Sequence, residues 1–185
     1  MDTEICWHGR GGQGVVTANE ILAEATIHAG KFVKAFPEFG PERMGAPIRA
    51  FARISEGPIR VHTQVYEPDI VIVIDPTLIG KVDVGKGLKK GGVIIANYPG
   101  TSAELQKAIG TDAECRAVDA TKISMDEIGR PMVNTSMLGA LVKARPIISY
   151  QEIEDRMKTK LGGKLSEKAL QQNLSALKRA FEEVQ

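Results

Sequence analysis

The glycine-rich segment Gly9–Gly14 constrains this chain more than any other feature. It holds four glycines in six residues, between an apolar run that ends at Trp7 and an amphipathic segment that begins at Val15. Glycine lets the backbone turn sharply and come close to a neighbouring molecule. A helix that starts directly after such a loop aims free N–H groups and the positive end of its dipole at the same place. The segment therefore predicts a strand–loop–helix unit whose loop is suited to an anion.

Further strands are predicted from runs of β-branched and aromatic residues. Phe32–Phe36 follows the first helix and completes a βαβ unit. A turn at residues 55–58 joins two runs that together predict an antiparallel hairpin, because the first of them alternates in polarity. Two unbroken apolar runs are typical of strands buried on both faces. The remaining predicted strands are Glu4–Trp7, Ile48–Ile54 and Ile59–Val61 (the hairpin), Ile70–Ile74 and Val93–Ala96 (the unbroken runs), and Cys115–Val118.

Helices are predicted from apolar spacing and from capping signals. Residues at 3–4 spacing predict a helix over Val15–Ala29, and Asn134–Ala144 carries a second apolar side. Three serine or threonine residues stand three positions before a glutamate, which is the spacing of a capping box. A polar helical segment with an apolar seam closes the chain. The three capping pairs are Thr101 with Glu104, Ser124 with Glu127, and Ser149 with Glu152; the seam comprises Leu170, Leu174, Leu177, Phe181 and Val184.

Length and element order predict an α/β fold over residues 1–185 as one domain, with a helical tail from about residue 149. We expect a three-layer α/β/α arrangement with a mixed, mainly parallel sheet, a Rossmann-like N-terminal βαβ unit and an antiparallel hairpin. The net charge of +1 gives no sign of a nucleic-acid binder. No run approaches a membrane span and no signal pattern is present, so a cytoplasmic protein is expected. Cys6 and Cys115 are predicted to be buried free thiols.

The glycine loop leaves its ligand open. Gly9, Gly11 and Gly14 satisfy the pattern G-x-G-x-x-G in the strand-to-helix context that dinucleotide sites use. An NAD site would also need an acidic residue at the end of the second strand. That place holds residues 34–36, Lys-Ala-Phe, and Glu38 lies beyond a proline. Three alternatives therefore remain: a dinucleotide, a tight turn without a ligand, and a contact with a phosphate or a partner subunit.

Three side chains of this segment carry polar chemistry. Arg10 offers a bidentate clamp for a phosphate or carboxylate, or else a surface ion pair. His8 is expected to be a hydrogen-bonded structural residue rather than a general base. Gln13 is suited to bind an amide or a hydroxyl, or to tie the loop to its neighbour.

A second loop, Phe36–Pro47, combines proline, glycine and aromatic residues with a few charges. An apolar surface of this kind is typical of a protein interface, although an ordered crossover packed on its own domain has the same composition. The interface residues predicted here are Phe36, Glu38, Phe39, Glu42, Arg43 and Met44.

These segments together resemble the gamma subunits of the 2-oxoacid:acceptor oxidoreductases, the family of pyruvate:ferredoxin oxidoreductase. The resemblance runs over about residues 4–145 and is carried in order by Gly9–Gly14, Phe36–Pro47, Asp69–Asp75 and Gly91–Asn97. In the 2-oxoglutarate branch the second loop ends in Arg-Gly-Gly. Here Arg43 is followed by Met-Gly-Ala-Pro, which is similar to the pyruvate and branched-chain 2-oxoacid branches.

The resemblance implies a subunit of an enzyme that oxidatively decarboxylates a 2-oxoacid, with pyruvate first and 2-oxoisovalerate as the alternative. Coenzyme A takes the acyl group and ferredoxin or flavodoxin takes the electrons. Thiamine diphosphate, Mg²⁺ and [4Fe-4S] clusters are the implied cofactors. This chain has two cysteines and no thiamine-binding motif, so thiamine-binding and iron–sulfur partner subunits are expected. No catalytic residue or metal ligand is assigned to the chain itself.

Under that resemblance the glycine loop is expected at the edge of a shared active site, near coenzyme A. Asn97 and Thr135 are further candidates for the same cleft, and each is equally suited to a structural hydrogen bond. A stand-alone nucleotide-dependent oxidoreductase and a non-catalytic scaffold remain the alternatives. The predicted cofactor-contacting residues are Gly9, Arg10, Gly11, Gly12, Gln13 and Gly14.

Overall fold

A computed structural model describes residues 2–38, 45–61 and 63–185 of the chain. All of the strands lie in the first two thirds of the chain, and helices alone make up the last third. The strands are β1 (Thr3–Arg10), β2 (Phe32–Glu38), β3 (Pro47–Ser55), β4 (Ile70–Val73), β5 (Val93–Asn97) and β6 (Glu114–Val118). The helices are α1 (Val15–His28), α2 (Ser102–Ile109), α3 (Ala120–Ile128), α4 (Asn134–Ala144), α5 (Tyr150–Gly162) and α6 (Glu167–Glu183).

The six strands form one mixed sheet in the order β2-β3-β1-β4-β5-β6. β3 runs antiparallel to both of its neighbours, and the pairs β1–β4, β4–β5 and β5–β6 are parallel. The predicted mixed, mainly parallel sheet is therefore confirmed. β1 and β2 point in the same direction, as a βαβ unit requires, but β3 lies between them.

Side chains of the central strands alternate between two apolar layers, because successive residues of a strand point to opposite faces. Ile70 and Ile72 pack towards α1, α4, α5 and α6, whereas Val71 and Val73 pack on the other face with Leu105 of α2. Both layers are shielded from solvent, which explains why the β4 sequence is an unbroken apolar run. The sheet is thus covered on both sides, as the three-layer prediction requires.

The predicted hairpin partner of β3 is wrong. Residues 59–61 form no strand, because both edges of β3 are already occupied by β1 and β2. The segment crosses the sheet face instead, where the buried Arg53 guanidinium donates to the carbonyl oxygens of Val61 and Thr63 at 3.3 and 3.4 Å. The antiparallel hairpin is the β2–β3 pair.

Two of the three predicted capping boxes are confirmed, at Thr101–Glu104 and Ser149–Glu152. The box predicted at Ser124 is wrong, because α3 begins earlier, with Asp119 as its N-cap. Ser124 lies inside that helix and is fully buried, and its hydroxyl donates to the carbonyl oxygen of Met132 at 3.1 Å.

The C-terminal helices share the core of the sheet. Gly139 of α4 lets α6 approach closely, since a Cβ there would lie 2.1 Å from the carbonyl oxygen of Leu177. The α6 side chains Ala176, Leu177 and Ala180 are completely buried. Within the described residues, no helix is both long and apolar enough to span a membrane.

Candidate functional site

The glycine loop joins the carboxyl end of β1 to the start of α1. β1 continues through Arg10, so the turn itself is confined to the four residues before Val15. Gly9 is needed for packing, because a Cβ there would lie 2.5 Å from Cγ2 of Val15. Gly14 adopts φ +75°, a left-handed conformation that other residues rarely take. Loop shape and helix start are therefore fixed by glycine.

Arg10 braces this loop against the end of the neighbouring strand β4. Its Nε lies 2.9 Å from Oδ2 of Asp75, and its terminal nitrogens donate to Thr77 Oγ1 and to the Gly45 carbonyl oxygen, each at 3.1 Å. Gln13 completes the brace: its amide donates to Asp75 Oδ2 at 2.8 Å and accepts from the Arg10 backbone N–H at 2.8 Å. One N–H on each terminal nitrogen of Arg10 has no acceptor in the part of the chain that the structure describes.

Asp75 is the anionic centre of the brace and is only 5% exposed. Burial by itself would raise the pKa of this carboxyl. Hydrogen bonds from Thr77 and Gln13 and the charge of Arg10 outweigh burial and hold the pKa of Asp75 below its usual value. No role for Asp75 was predicted from the sequence, although an acidic residue directly after a buried strand is a signal for one.

The brace spans the crevice between the carboxyl ends of β1 and β4. The chain leaves β1 towards the β2 side of the sheet and leaves β4 towards the β5 side, so this crevice is the topological switch point. Open α/β sheets bind ligands at such points, beyond the carboxyl ends of the strands. The fold therefore places the glycine loop where a ligand is expected.

The topology also bears on the dinucleotide alternative. Glu38 does end β2, but β3 separates β2 from the strand that carries the glycine loop. The Glu38 carboxylate is occupied, because it accepts from Arg49 Nη2 at 2.9 Å and from Gln64. These contacts, with burial opposing them, lower the pKa of Glu38. The acid that ends β2 is thus neither next to the loop nor free to bind a ribose.

A cavity of about 210 Å³ adjoins the loop on the face of the sheet that α1 and α4 cover. α1 and α4 both begin at it, and their first turns are in contact, since a Cβ on Gly14 would lie 2.6 Å from Nδ2 of Asn134. Thr135 lines this cavity together with Gly12–Gly14, and its hydroxyl donates to Asn173 Oδ1 at 3.4 Å. The described lining residues are Gly12, Gln13, Gly14, Thr17, Ile21, Pro131, Met132, Asn134, Thr135, Leu161, Leu165 and Asn173.

Asn97, the other candidate for this cleft, is bound within the fold. Its amide donates to the carbonyl oxygen of Ile74 at 3.0 Å and to Thr121 Oγ1 at 2.9 Å, and its Oδ1 accepts from the Thr121 backbone N–H. Asn97 is not among the described residues that line the cavity. The structural alternative is the one that its contacts favour.

His8 and Cys6 lie on the opposite sheet face from the cavity. The His8 Nε2 is 3.4 Å from the Cys6 Sγ, and both side chains border a second cavity of about 270 Å³ with Arg49. Burial, followed by the charge of Arg49, lowers the pKa of His8 to about 4. Burial raises the pKa of Cys6 to about 12. Thiol and imidazole are therefore both uncharged near neutral pH, and Cys6 and Cys115 are buried free thiols as predicted.

The predicted interface residues fall in two groups. The Phe36 ring packs on Phe51 with centroids 5.6 Å apart, and Glu38 pairs with Arg49, so both are also held within the chain. The other four, Phe39, Glu42, Arg43 and Met44, lie outside the described residues. No group of three or more His, Cys, Asp or Glu side chains within 2–38, 45–61 and 63–185 is placed to hold a metal ion.

Fold and loop together define an α/β protein with a glycine-loop site at the switch point of a mixed sheet. The chain belongs to the pyruvate ferredoxin/flavodoxin oxidoreductase family, whose model matches residues 4–183. The family resemblance read from the sequence is thereby confirmed.

Relatives match over nearly their whole length. The common subunit gamma of the pyruvate/ketoisovalerate oxidoreductases of Thermococcus litoralis is 49% identical over 97% of this chain and 95% of its own length. The pyruvate synthase subunit PorC of Thermotoga maritima is 45% identical over 98% and 94%. The crystal structure of the pyruvate oxidoreductase subunit PORC of Thermotoga maritima superposes with a TM-score of 0.88 at 40% identity, covering 100% of this chain and 97% of that one. The fold prediction is confirmed by this match.

Proposed function

We propose that this chain is the gamma component of a multi-subunit 2-oxoacid:ferredoxin oxidoreductase and has no activity alone. The observation that carries the proposal is the full-length match to the Thermococcus litoralis subunit gamma at 49% identity. In the reaction, the 2-oxoacid loses CO₂, its acyl group passes to coenzyme A, and two electrons pass to ferredoxin or flavodoxin. Pyruvate is the proposed substrate. 2-Oxoisovalerate is the alternative substrate. It is supported by the Thermococcus litoralis relative, which is a common subunit of pyruvate and ketoisovalerate oxidoreductases.

The redox and decarboxylation cofactors belong to other subunits in this proposal. A [4Fe-4S] cluster takes about four cysteine ligands, and the whole sequence has two. Thiamine diphosphate with Mg²⁺ supplies the carbanion chemistry of the complex. The partners of this chain are therefore a thiamine-binding subunit and an iron–sulfur subunit, and the complex works in the cytoplasm.

In this proposal the chain shapes the edge of the shared active site and orients coenzyme A there. The loop residues 9–14 lie at the switch point, where Arg10 and Gln13 both bond to Asp75. We place this loop at the edge of the shared active site, next to coenzyme A. In this position the free N–H groups of the loop and the two remaining N–H groups of Arg10 face coenzyme A. The segment Phe36–Pro47 contacts the neighbouring subunits.

Reconstitution tests the proposal. The chain is purified with its partner subunits, and reduction of a viologen dye is followed with pyruvate and coenzyme A, with 2-oxoisovalerate in parallel. Reduction that requires both the 2-oxoacid and coenzyme A, and that disappears when this chain is omitted, is the expected result. Full activity without the chain contradicts the proposal. A large thermal shift of the isolated chain with NAD, NADP or FAD, but none with coenzyme A, favours the nucleotide-dependent oxidoreductase.

A further inference from the structure

The second cavity, of about 270 Å³, lies on the sheet face opposite to the glycine loop's cavity. The two cavities have no described lining residue in common. A volume just below that of a drug-sized ligand site suits a smaller organic molecule. The described lining combines two cations, one carboxylate, a buried imidazole and an apolar wall. These groups define which molecule the cavity can bind.

The register of three strands aligns the polar side chains beside this cavity. Arg49 of β3 is paired with His8 of β1 on one side and with Glu38 of β2 on the other. Residues opposite each other on neighbouring strands project from the same face of a sheet. The next pair on this face, Cys6 with Phe51, is buried and also borders the cavity. A polar row therefore lies next to an apolar pair.

Arg49 has N–H groups available for a second anion. Its Nε and Nη2 donate to the Glu38 carboxylate, with 2.9 Å between Nη2 and Oε1. The other three of its five N–H groups have no acceptor in the part of the chain that the structure describes. The guanidinium carbon lies 5.5 Å from the centroid of the Phe51 ring, within the range of a cation–π contact. Arg49 can therefore bind a ligand anion while it stays paired with Glu38.

Two further donors border the same cavity. Lys86 is exposed and has no ion-pair partner among the described residues. The His8 side chain is buried, and its Nε2 lies 3.4 Å from the Cys6 Sγ. A protonated thiol that donates to Nε2 leaves the proton of the neutral ring on Nδ1, which is then an N–H donor. The cavity thus offers an anion two charged donors and one neutral donor.

Asp83 limits the charge that the ligand can carry. Its carboxylate borders the cavity together with the two cations, Arg49 and Lys86. One negative charge on a ligand is therefore matched, whereas a second is repelled by Asp83. Val65 and Pro68 extend the apolar wall, which suits a non-polar body joined to the anionic group.

We propose that this cavity binds a small monocarboxylate with an apolar body. Arg49 and Lys86 hold the carboxylate, His8 donates a hydrogen bond to it, and the apolar body packs against Phe51. Asp83 disfavours dicarboxylates and phosphate. The inference concerns the isolated chain, and it holds or fails independently of the reaction that the assembled complex catalyses.

Isobutyrate titrated into the isolated full-length chain at constant ionic strength is the direct probe. Isobutyramide serves as its neutral analogue and succinate as a dianion. In ¹⁵N NMR spectra, the amide signals of His8, Arg49 and Val65 should shift together and saturate with isobutyrate, but not with isobutyramide. Isobutyrate should bind about fivefold more tightly than succinate, because only the dianion is repelled by Asp83.

The imidazole of His8 supplies a second measurement. A carboxylate beside an imidazole favours the charged ring, so bound isobutyrate should raise the pKa of His8 above about 4. The charges of Arg49, Glu38 and Asp83 also act on this ring, and they are the same with and without the ligand. Imidazole ¹⁵N shifts followed against pH measure the change. The same pKa with and without saturating isobutyrate contradicts the inference.

Lys86→Gln should weaken isobutyrate binding about fivefold, since one of the two cations is lost. Its melting temperature should equal that of the wild type, because Lys86 is exposed. The matched control is Lys90→Gln, the same change at an exposed lysine outside the described lining, and it should bind like the wild type. Asp83→Asn should bind succinate more tightly than the wild type does, a gain that misfolding cannot produce.

Three results overturn the inference. The first is the absence of saturable shifts at His8 and Arg49 with isobutyrate. The second is equal binding of isobutyrate and isobutyramide, which removes the carboxylate from recognition. The third is a Lys86→Gln variant that binds isobutyrate as tightly as Lys90→Gln does.

Discussion

Arg10 and Asp75 tie together the carboxyl ends of two adjacent parallel strands, with 2.9 Å between Nε and Oδ2. The pair stands at the switch point, where open α/β sheets bind ligands. Because Arg10 and Gln13 bond the same carboxylate oxygen, the glycine loop is held near both of its ends. Rigid support of this kind is what a loop at an active-site edge requires.

Asp75→Asn should destabilise the isolated chain by about 1–3 kcal/mol at pH 7, since it leaves buried donors without a charged acceptor. The folded-state pKa of Asp75 is lowered. Its contribution is therefore fully present above the unfolded value of about 3.9 and is lost as pH falls through the folded pKa. Urea unfolding at several pH values should show the gap to the wild type closing below about pH 4.

The control for this change is Asp119→Asn. Asp119 caps α3, a role that asparagine fills equally well. The Asp119→Asn variant should therefore unfold with a free energy close to that of the wild type. A difference in unfolding free energy between Asp75→Asn and the wild type that stays constant down to pH 2 would contradict the role assigned to Asp75.

Arg10→Ala should raise the KM of the assembled complex for coenzyme A more than its KM for pyruvate, by about tenfold if about 1.4 kcal/mol of binding is lost. The reason is that the glycine loop loses its brace and coenzyme A loses the two remaining N–H donors of Arg10. Steady-state kinetics of the reconstituted complex measure both constants. Arg116→Ala, which removes a surface ion pair with Glu114 on β6, serves as the control. Equal changes in both constants would exclude a role at the coenzyme A side.

Gly14→Ala should cost about 2 kcal/mol or more. A left-handed backbone costs a non-glycine residue roughly 1–2 kcal/mol, and the added Cβ would also displace Asn134. Gly163→Ala is the matched control, because Gly163 has φ −86° and open space around it. That control should be stabilised by about 0.4–1 kcal/mol. Equal denaturation midpoints for the two variants would show that the loop tolerates a side chain.

His8 should make the chain less stable as pH falls. Its pKa is about 4 in the folded state against 6.5 for the free side chain, so the unfolded chain binds the extra proton between these values. Stability should fall by on the order of 3 kcal/mol as pH drops from about 6.5 to about 4. His8→Gln should flatten this dependence. Chemical denaturation of both proteins across this pH range measures it.

Arg43→Ala should loosen the assembled complex without destabilising the isolated chain, because Arg43 is proposed to contact a neighbouring subunit. Native mass spectrometry and the melting temperature of the free chain measure the two effects. Lys178→Ala, on the exposed side of α6, is the control. A complex of wild-type integrity would place the interface elsewhere.

Local signals in the sequence predicted most elements of the fold. The β-branched runs located β4 and β5, and two capping boxes located the starts of α2 and α5. The pairing of β3 was missed because it depends on which edges are free, and that is settled by distant residues. The start of α3 was missed because Asp119 caps as well as Ser124 would, and spacing alone does not rank the two.

Only the glycine loop of the site could be predicted from the sequence, and the residues that other elements bring to it could not. The glycines of the loop are visible in the sequence, because their turn needs them. Asn134 looks like an ordinary residue in the first turn of a helix, and only the packing of α4 against Gly14 brings it to the loop. Asp75 likewise gains its role from a partner on another strand.

The position of β3 sets an order for folding on the ribosome. β1 and β2 leave first, but neither has a strand to pair with until residues 47–55 emerge, since β3 alone bridges them. The antiparallel pairing of β1 with β3 reaches from Thr3 to Ile54, and that of β2 with β3 reaches from Phe32 to Ser55. During that interval α1 and the two unpaired strands expose apolar surface, which makes the nascent N-terminal third a target for chaperones.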